Sequence, residues 1–245
     1  MAHEPDSQLA ARVLPAPLYR SLSHVFAQGV VDTMLVGGTA LAGYYAGHRS
    51  SDDLDLFVRN PSAFQAVVHA VRSLPTLGCT IEPRQETAQF YDATCELSAH
   101  FFTVQVVIDA RLFDVGRALR ASDSVVVAEL ETILKQKAAT LVSRCSEKDL
   151  YDLQWLFQRF PTLQIESLLA LGAEIDAGMT AESVMLSLTG TTLRESACGF
   201  AHNETAEAVF RGISDLKTAL SQRFDRLARK QAVGPMGELV RSLKS

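Results

Sequence analysis

The run Asp53-Leu54-Asp55-Leu56-Phe57 alternates polar and apolar residues with period two up to its aromatic end. In a β-strand, such a run sends Asp53 and Asp55 to one face and Leu54 and Leu56 to the other. A strand that buries its leucines therefore presents two carboxylates side by side. Like charges that close repel unless a cation lies between them. A hard, oxygen-seeking ion such as Mg2+ (or Mn2+), with phosphate oxygens completing its shell, meets that need. A solvated strand edge with a chance Asp-x-Asp is the plainer alternative, so the neighbouring sequence has to decide.

Upstream, Thr33 to Val36 reads as a short apolar strand that runs into Gly37-Gly38, and Thr39 to Ala46 as a short helix. Glycines let the backbone approach a ligand closely, and the free N–H groups at a helix start favour a phosphate. A Gly-Gly turn alone is most often only a tight turn. A Gly-Gly turn followed fifteen residues later by an Asp-x-Asp strand is a far more specific combination.

Strands and helices alternate in the first half of the chain. Helices are expected over Pro15 to Gln28 and Pro61 to Leu74, and strands over Leu54 to Val58, Cys79 to Arg84, Ala88 to Glu96 and Phe101 to Ile108. After about Val127 the helical period takes over, through Ala128 to Val142, Lys148 to Phe160, Ile165 to Ala173, Ala181 to Leu188, Thr205 to Phe224 and Pro235 to Leu243. The pattern predicts an α+β fold: a catalytic domain over 1–125, a mixed sheet with flanking helices, and a helical domain over 126–245 that completes a cleft. With 47% apolar residues in 245, the chain can bury a sizeable core. No apolar run approaches the ~20 residues of a membrane span, and the polar N-terminus lacks a signal-peptide core. A cytoplasmic protein without a membrane partner is expected. Cys79, Cys95, Cys145 and Cys198 are scattered, with no CxxC pair, so buried free thiols are expected.

Gly37-Gly38 followed by Asp53-Leu54-Asp55 resembles the signature of the DNA polymerase beta-like nucleotidyltransferases. The fuller strings Gly38-Thr39-Ala40-Leu41 and His48-Arg49-x-Ser51-x-Asp53-Leu54-Asp55-Leu56-Phe57 are similar to the AbiEii/AbiGii toxin family. Lys137 and Arg144, followed by Lys148-Asp149-Leu150-Tyr151-Asp152-Leu153, resemble that family's downstream helical motif, where Arg is usual at the position of Lys148. The resemblance runs from about residue 20 to 165. It implies a polymerase beta-like core and transfer of a nucleoside monophosphate from an NTP, with Asp53 and Asp55 as metal ligands. Gly37, Gly38, Thr39, Arg49, Ser51, Lys137 and Arg144 would receive the nucleotide. It places Asp152 in the active-site region, although a helical-turn ion pair with Lys148 also accounts for that residue. Ser146 and Asp149 read as a capping box. Polymerase beta-like enzymes usually carry a third carboxylate on a later strand, and Asp109 is the candidate, with Glu96 and Asp114 as fallbacks.

The family implies a toxin with tRNA, or NTP alone, as substrate and a separately encoded antitoxin as partner. A small-molecule nucleotidyltransferase of the antibiotic-modifying kind and a degenerate, non-catalytic member are the rival readings. The formal net charge of −5 argues against a generic nucleic-acid binder. Residues 211–245, however, hold eight Lys or Arg against three acids, a candidate phosphate track for an RNA acceptor or simply a solvated helix face. His48 is a further candidate for phosphate or base contact. Tyr44 and Tyr45 are open between core and base stacking, and Trp155 reads as core.

Overall fold

A computed structural model of the chain describes residues 4–231. The expected helix at Pro235 to Leu243, with Glu238, Arg241 and Lys244, lies outside the described residues. Two compact units emerge, Met1–Ile133 with Phe200–Asn203, and Leu134–Gly199 with Glu204–Ser245.

The first unit is built on a seven-stranded mixed sheet. Its strands are β1 (Thr33–Val36), β2 (Asp53–Val58), β3 (Thr80–Glu86), β4 (Phe90–Leu97), β5 (His100–Ile108), β6 (Ala118–Arg120) and β7 (Val126–Ala128), in the spatial order β3-β4-β5-β2-β1-β7-β6. β2 runs antiparallel to β1 and parallel to β5, with Asp53 opposite Thr103, Asp55 opposite Gln105 and Val58 opposite Ile108. Leu54, Leu56 and Val58 are fully buried, as are Tyr91, Ala93, Val104 and Val106 of the neighbouring strands. One sheet face is thus core, closed by α2 (Ala16–Ala27) and α4 (Pro61–Arg72). Pro61 and the Asn60 cap open α4 where the sequence places its start. The short helix α1 (Ser7–Val13), capped by Asp6, was not legible in the polar N-terminus. Neither were the three-residue strands β6 and β7, nor α5 (Ala110–Val115).

The second unit is helical in its described residues: α6 (Leu130–Ser143, which begins in the first unit), α7 (Glu147–Arg159), α8 (Ser167–Ala173), α9 (Ala181–Gly190) and α10 (Ala206–Gln231). Ser146 and Asp149 form the expected capping box at the start of α7. Trp155, expected in the core, is only partly buried. All four cysteines are buried free thiols. No helix among the described residues is long and apolar enough to cross a membrane.

The segment after the Gly-Gly turn is a single five-residue α-helical stretch, α3 (Gly37–Leu41), continued as a π-helix over Ala42–Ala46. Its two tyrosines serve structure. Tyr45 donates to the Ala128 carbonyl at 2.9 Å, and Tyr44, fully buried, donates to Asp123 at 2.8 Å. Tyr19 of α2 donates to the same carboxylate oxygen at 2.9 Å. Burial, with Asp123 beside them, holds both phenols protonated, Tyr19 at about 12 and Tyr44 higher still. One loop aspartate therefore ties α2, the π-helix and the β6–β7 turn together. Replacing it by alanine leaves the Tyr44 hydroxyl buried without its acceptor. Asp123→Ala should cost about 1–3 kcal/mol, read as a lowered denaturation midpoint in urea with an unchanged slope.

Candidate active site

The two carboxylates stand where the alternation places them. Asp53 is exposed and Asp55 half-buried, while Leu54 between them is fully buried. The Asp55 carboxylate lies against the Gly-Gly turn. A Cβ at position 37 would sit 2.2 Å from Asp55 Oδ2. Gly37 also adopts φ +69°, a left-handed backbone that favours glycine. A Cβ at position 38 would come within 2.5 Å of the Arg49 guanidinium and 3.2 Å of the Ser51 hydroxyl. The two glycines thus leave room for one acidic and one basic side chain, and the sequence signal for close approach has a specific cause.

Arg49 and Ser51 are each only 2% exposed. Arg49 Nη1 donates to the Ser50 carbonyl at 2.8 Å. Thr39 is fully buried, its hydroxyl donating to the Asp53 carbonyl at 2.5 Å and lying 2.9 Å from the Ser51 hydroxyl. Its hydroxyl braces the start of β2 from inside. His48 is likewise buried, at 8% exposure. The stretch from His48 to Ser50 is paired by a part of the chain that carried no sequence signal. Arg49 bridges Ala201, the Ser50 N–H donates to the Phe200 carbonyl at 2.9 Å, and the His202 N–H donates to the His48 carbonyl at 3.0 Å.

Asp109 is not part of this cluster. It follows Ile108, the partner of Val58, and its N–H donates to the Val58 carbonyl at 2.9 Å. That puts it four residues along from Asp55, about 13 Å at 3.3 Å per residue. Its carboxylate caps α5 through the Leu112 N–H at 2.9 Å. An aspartate that ends a strand and starts a helix finds its partner in the helix, which overrides the expectation drawn from the strand alone. The fallbacks fare no better. Asp114 is exposed and lies 3.8 Å from Arg59 at that same end of the sheet, and Glu96 stands opposite Phe101 on β4. Beside Asp55 on β5 is Gln105, and beside Asp53 is Thr103, whose hydroxyl donates to Asp53 Oδ1 at 2.5 Å. Only the register identifies these two, so inspection of the sequence passes over them.

Among the described residues, no group of three or more His, Cys, Asp or Glu could by itself hold a metal. What the site offers is two carboxylates on one face, an all-oxygen set. That fits an ion of the Mg2+ kind, which is commonly held by one or two carboxylates while substrate phosphates and water fill the remaining positions. It does not fit a dedicated cage.

In the second unit, Lys137 of α6 is buried and its ammonium is held by two carboxylates of α7, Asp149 Oδ1 at 2.9 Å and Asp152 Oδ2 at 2.7 Å. Asp152 is thus explained by Lys137, not by an ion pair with Lys148. Arg144 approaches Asp149 Oδ2 at 3.4 Å, and the Ser146 hydroxyl donates to the same oxygen at 2.6 Å. Asp149 is both cap and counter-ion, a double duty the capping pattern alone did not reveal. Burial by itself would push its carboxyl up, but Lys137, Ser146 and Arg144 together hold it below the usual carboxylate range.

Of the basic residues in α10, Arg211 pairs with Glu207 at 2.8 Å, Arg229 with Asp225 at 2.8 Å, and Arg223 with Glu166. Lys217 donates to the Thr191 carbonyl at 2.6 Å.

The chain is similar to known proteins in sequence family and in fold. The model of a family described as nucleotidyl transferase AbiEii toxin, type IV toxin–antitoxin system, matches residues 18–188. Among solved structures, MenT4, a nucleotidyltransferase toxin from Mycobacterium tuberculosis, is 16% identical over 89% of this chain and 92% of its own, with a TM-score of 0.55. The Helicobacter pylori protein JHP933 is 16% identical over 93% of this chain and 98% of its own, with a TM-score of 0.48. No curated protein sequence matches.

Two outcomes follow from the ionic cluster. Lys137→Ala strands two buried carboxylates and should cost about 3–5 kcal/mol, measured by chemical denaturation. Asp149 has a folded pKa below its unfolded value. Its contribution is therefore complete above the ordinary aspartate pKa of about 3.9 and is lost as pH falls through the folded value. Thermal melts from pH 7 downward should show a stability loss confined to that acid range, and Asp149→Asn should flatten it.

Proposed function

Because the chain belongs to the nucleotidyl transferase AbiEii toxin family, we propose that it transfers a nucleoside monophosphate from an NTP to an acceptor, releasing pyrophosphate, as the toxin of a toxin–antitoxin pair. The observation that carries this reading is the pair of carboxylates on the open face of β2, with the Asp55 carboxylate packed onto Gly37.

On this reading Asp53 and Asp55 are the ligands of a divalent cation, Mg2+ or Mn2+, which when bound neutralises charge on the triphosphate. The backbone at Gly37-Gly38, which Arg49 flanks, receives phosphate oxygens. Arg49 is held in place by the Ser50 carbonyl, so its charge is fixed before substrate arrives, as electrostatic stabilisation of a transferring phosphoryl group requires. Thr39 and Ser51 act from behind, holding the start of β2. Lys137, Asp152 and Arg144 are proposed for the reaction on family resemblance alone. Lys137 and Asp152, both buried, also stabilise the second unit.

We assign tRNA as acceptor and a separately encoded antitoxin as partner on the family reading. One observation favours a second acceptor class. Three arginines of α10 are held by acids of the same unit and Lys217 by a backbone carbonyl. That is the behaviour of a solvated helix face more than of a phosphate track, and it leaves a small-molecule acceptor as the second reading.

Incubation with each α-labelled NTP, with and without total tRNA and Mg2+, distinguishes the two. Label moving into tRNA supports the first reading, and label in a small product without tRNA supports the second. Asp53→Asn and Asp55→Asn should each abolish labelling while leaving the melting temperature equal or slightly raised, since each removes one of two repelling charges. Full turnover in either variant would refute the metal-ligand role.

A further inference from the structure

The hydrogen bonds around Asp53 come from both sides of its strand. From behind, the buried Thr39 hydroxyl donates to its backbone carbonyl at 2.5 Å. From the adjacent strand, Thr103 binds twice. Its N–H donates to the Asp52 carbonyl at 3.0 Å, and its hydroxyl donates to Asp53 Oδ1 at 2.5 Å. A hydroxyl-to-carboxylate contact that short is in the range of charge-assisted hydrogen bonds, which are roughly twice as strong as neutral ones. The parallel register makes it possible, because Asp53 and Thr103 are direct partners on the same open face.

We infer that Thr103 is the positioning residue of the carboxylate pair, fixing the Asp53 side chain so that Oδ1 stays in the sheet and Oδ2 is presented to the cation. The inference rests on the proposal that Asp53 is a metal ligand. An exposed aspartate on a strand otherwise samples several rotamers. Swinging away from Asp55 would relieve repulsion between the two carboxylates, so the geometry that suits a cation is the one the free side chain avoids. The Thr103 hydroxyl opposes that swing before any cation arrives. Outer partners of this kind are what orient metal ligands, and their loss commonly weakens metal binding about 10–100-fold. The neighbouring pair behaves differently. Asp55 faces Gln105 across the same two strands, and its carboxylate lies against Gly37 at the turn.

The test is Mn2+ binding followed by electron paramagnetic resonance, with a non-hydrolysable NTP analogue present. It compares wild type with Thr103→Val, Thr103→Ala, Thr103→Ser and Asp53→Asn. Valine keeps the shape of threonine and removes the hydroxyl, and alanine removes both, so a folding defect in one does not decide the outcome. The expected result is Mn2+ affinity reduced about ten-fold or more in both variants lacking the hydroxyl, near wild type in Thr103→Ser, and lowest in Asp53→Asn. Loss in Asp53→Asn with wild-type affinity in Thr103→Val and Thr103→Ala would overturn the role of Thr103 alone. Equal affinity in wild type and Asp53→Asn would overturn the metal reading beneath it.

Discussion

Leu54, Leu56 and Val58 leave β2 no choice of face. All three are fully buried, and a strand shifted by one residue would exchange them with Asp53, Asp55 and Phe57. Burying two ionised carboxylates costs far more than any local rearrangement could recover. The register is therefore fixed by the hydrophobic face, and the direction of both acids follows from it. Much else in the first unit is set by that register: Thr103 meets Asp53, Gln105 meets Asp55, and the turn at Gly37 has to dispense with a side chain. The chemistry on one side of the strand depends on the greasiness of the other.

This dependence explains what could be seen in the sequence. Period-two alternation and the Gly-Gly turn are local, so β1, β2 and the facing carboxylates were legible, and β1 appears over the very residues expected, Thr33–Val36. The cap of α4 and the capping box of α7 were legible for the same reason. What escaped were pairings between distant segments. Asp109 sits at the end of a strand, and its local pattern does not say whether it serves the strand or the helix that follows. The structure gives it to the helix. Thr103 and Gln105 look like ordinary strand residues until β5 is laid parallel to β2. Residues 200–203 have no pattern at all, and their place beside Arg49 is a matter of topology.

The second unit shows a different economy. Lys137, Asp149 and Asp152 are all buried, and each would be intolerable alone. Together they join α6 to α7 with ion pairs of 2.9 and 2.7 Å. One lysine shared between two acids leaves the cluster with a net negative charge, which Arg144 offsets at 3.4 Å from Asp149. An arrangement of this kind rewards one helix register and penalises neighbouring ones, because a slip would separate charges that no water can reach. The stability of the unit thus draws on these three side chains.

The return of Phe200–Asn203 to the first unit has a consequence in time. Arg49 and Ser50 receive their backbone partners from Ala201 and Phe200, about 150 residues later in the chain. A ribosome adding roughly 5–20 residues per second finishes the seven strands of the sheet well before it delivers those partners. While the intervening helices are being synthesised, the segment beside the Gly-Gly turn waits without them. The pairing of Arg49 and Ser50 is therefore among the last contacts of the first unit that synthesis makes available, since residues 134–199 come between.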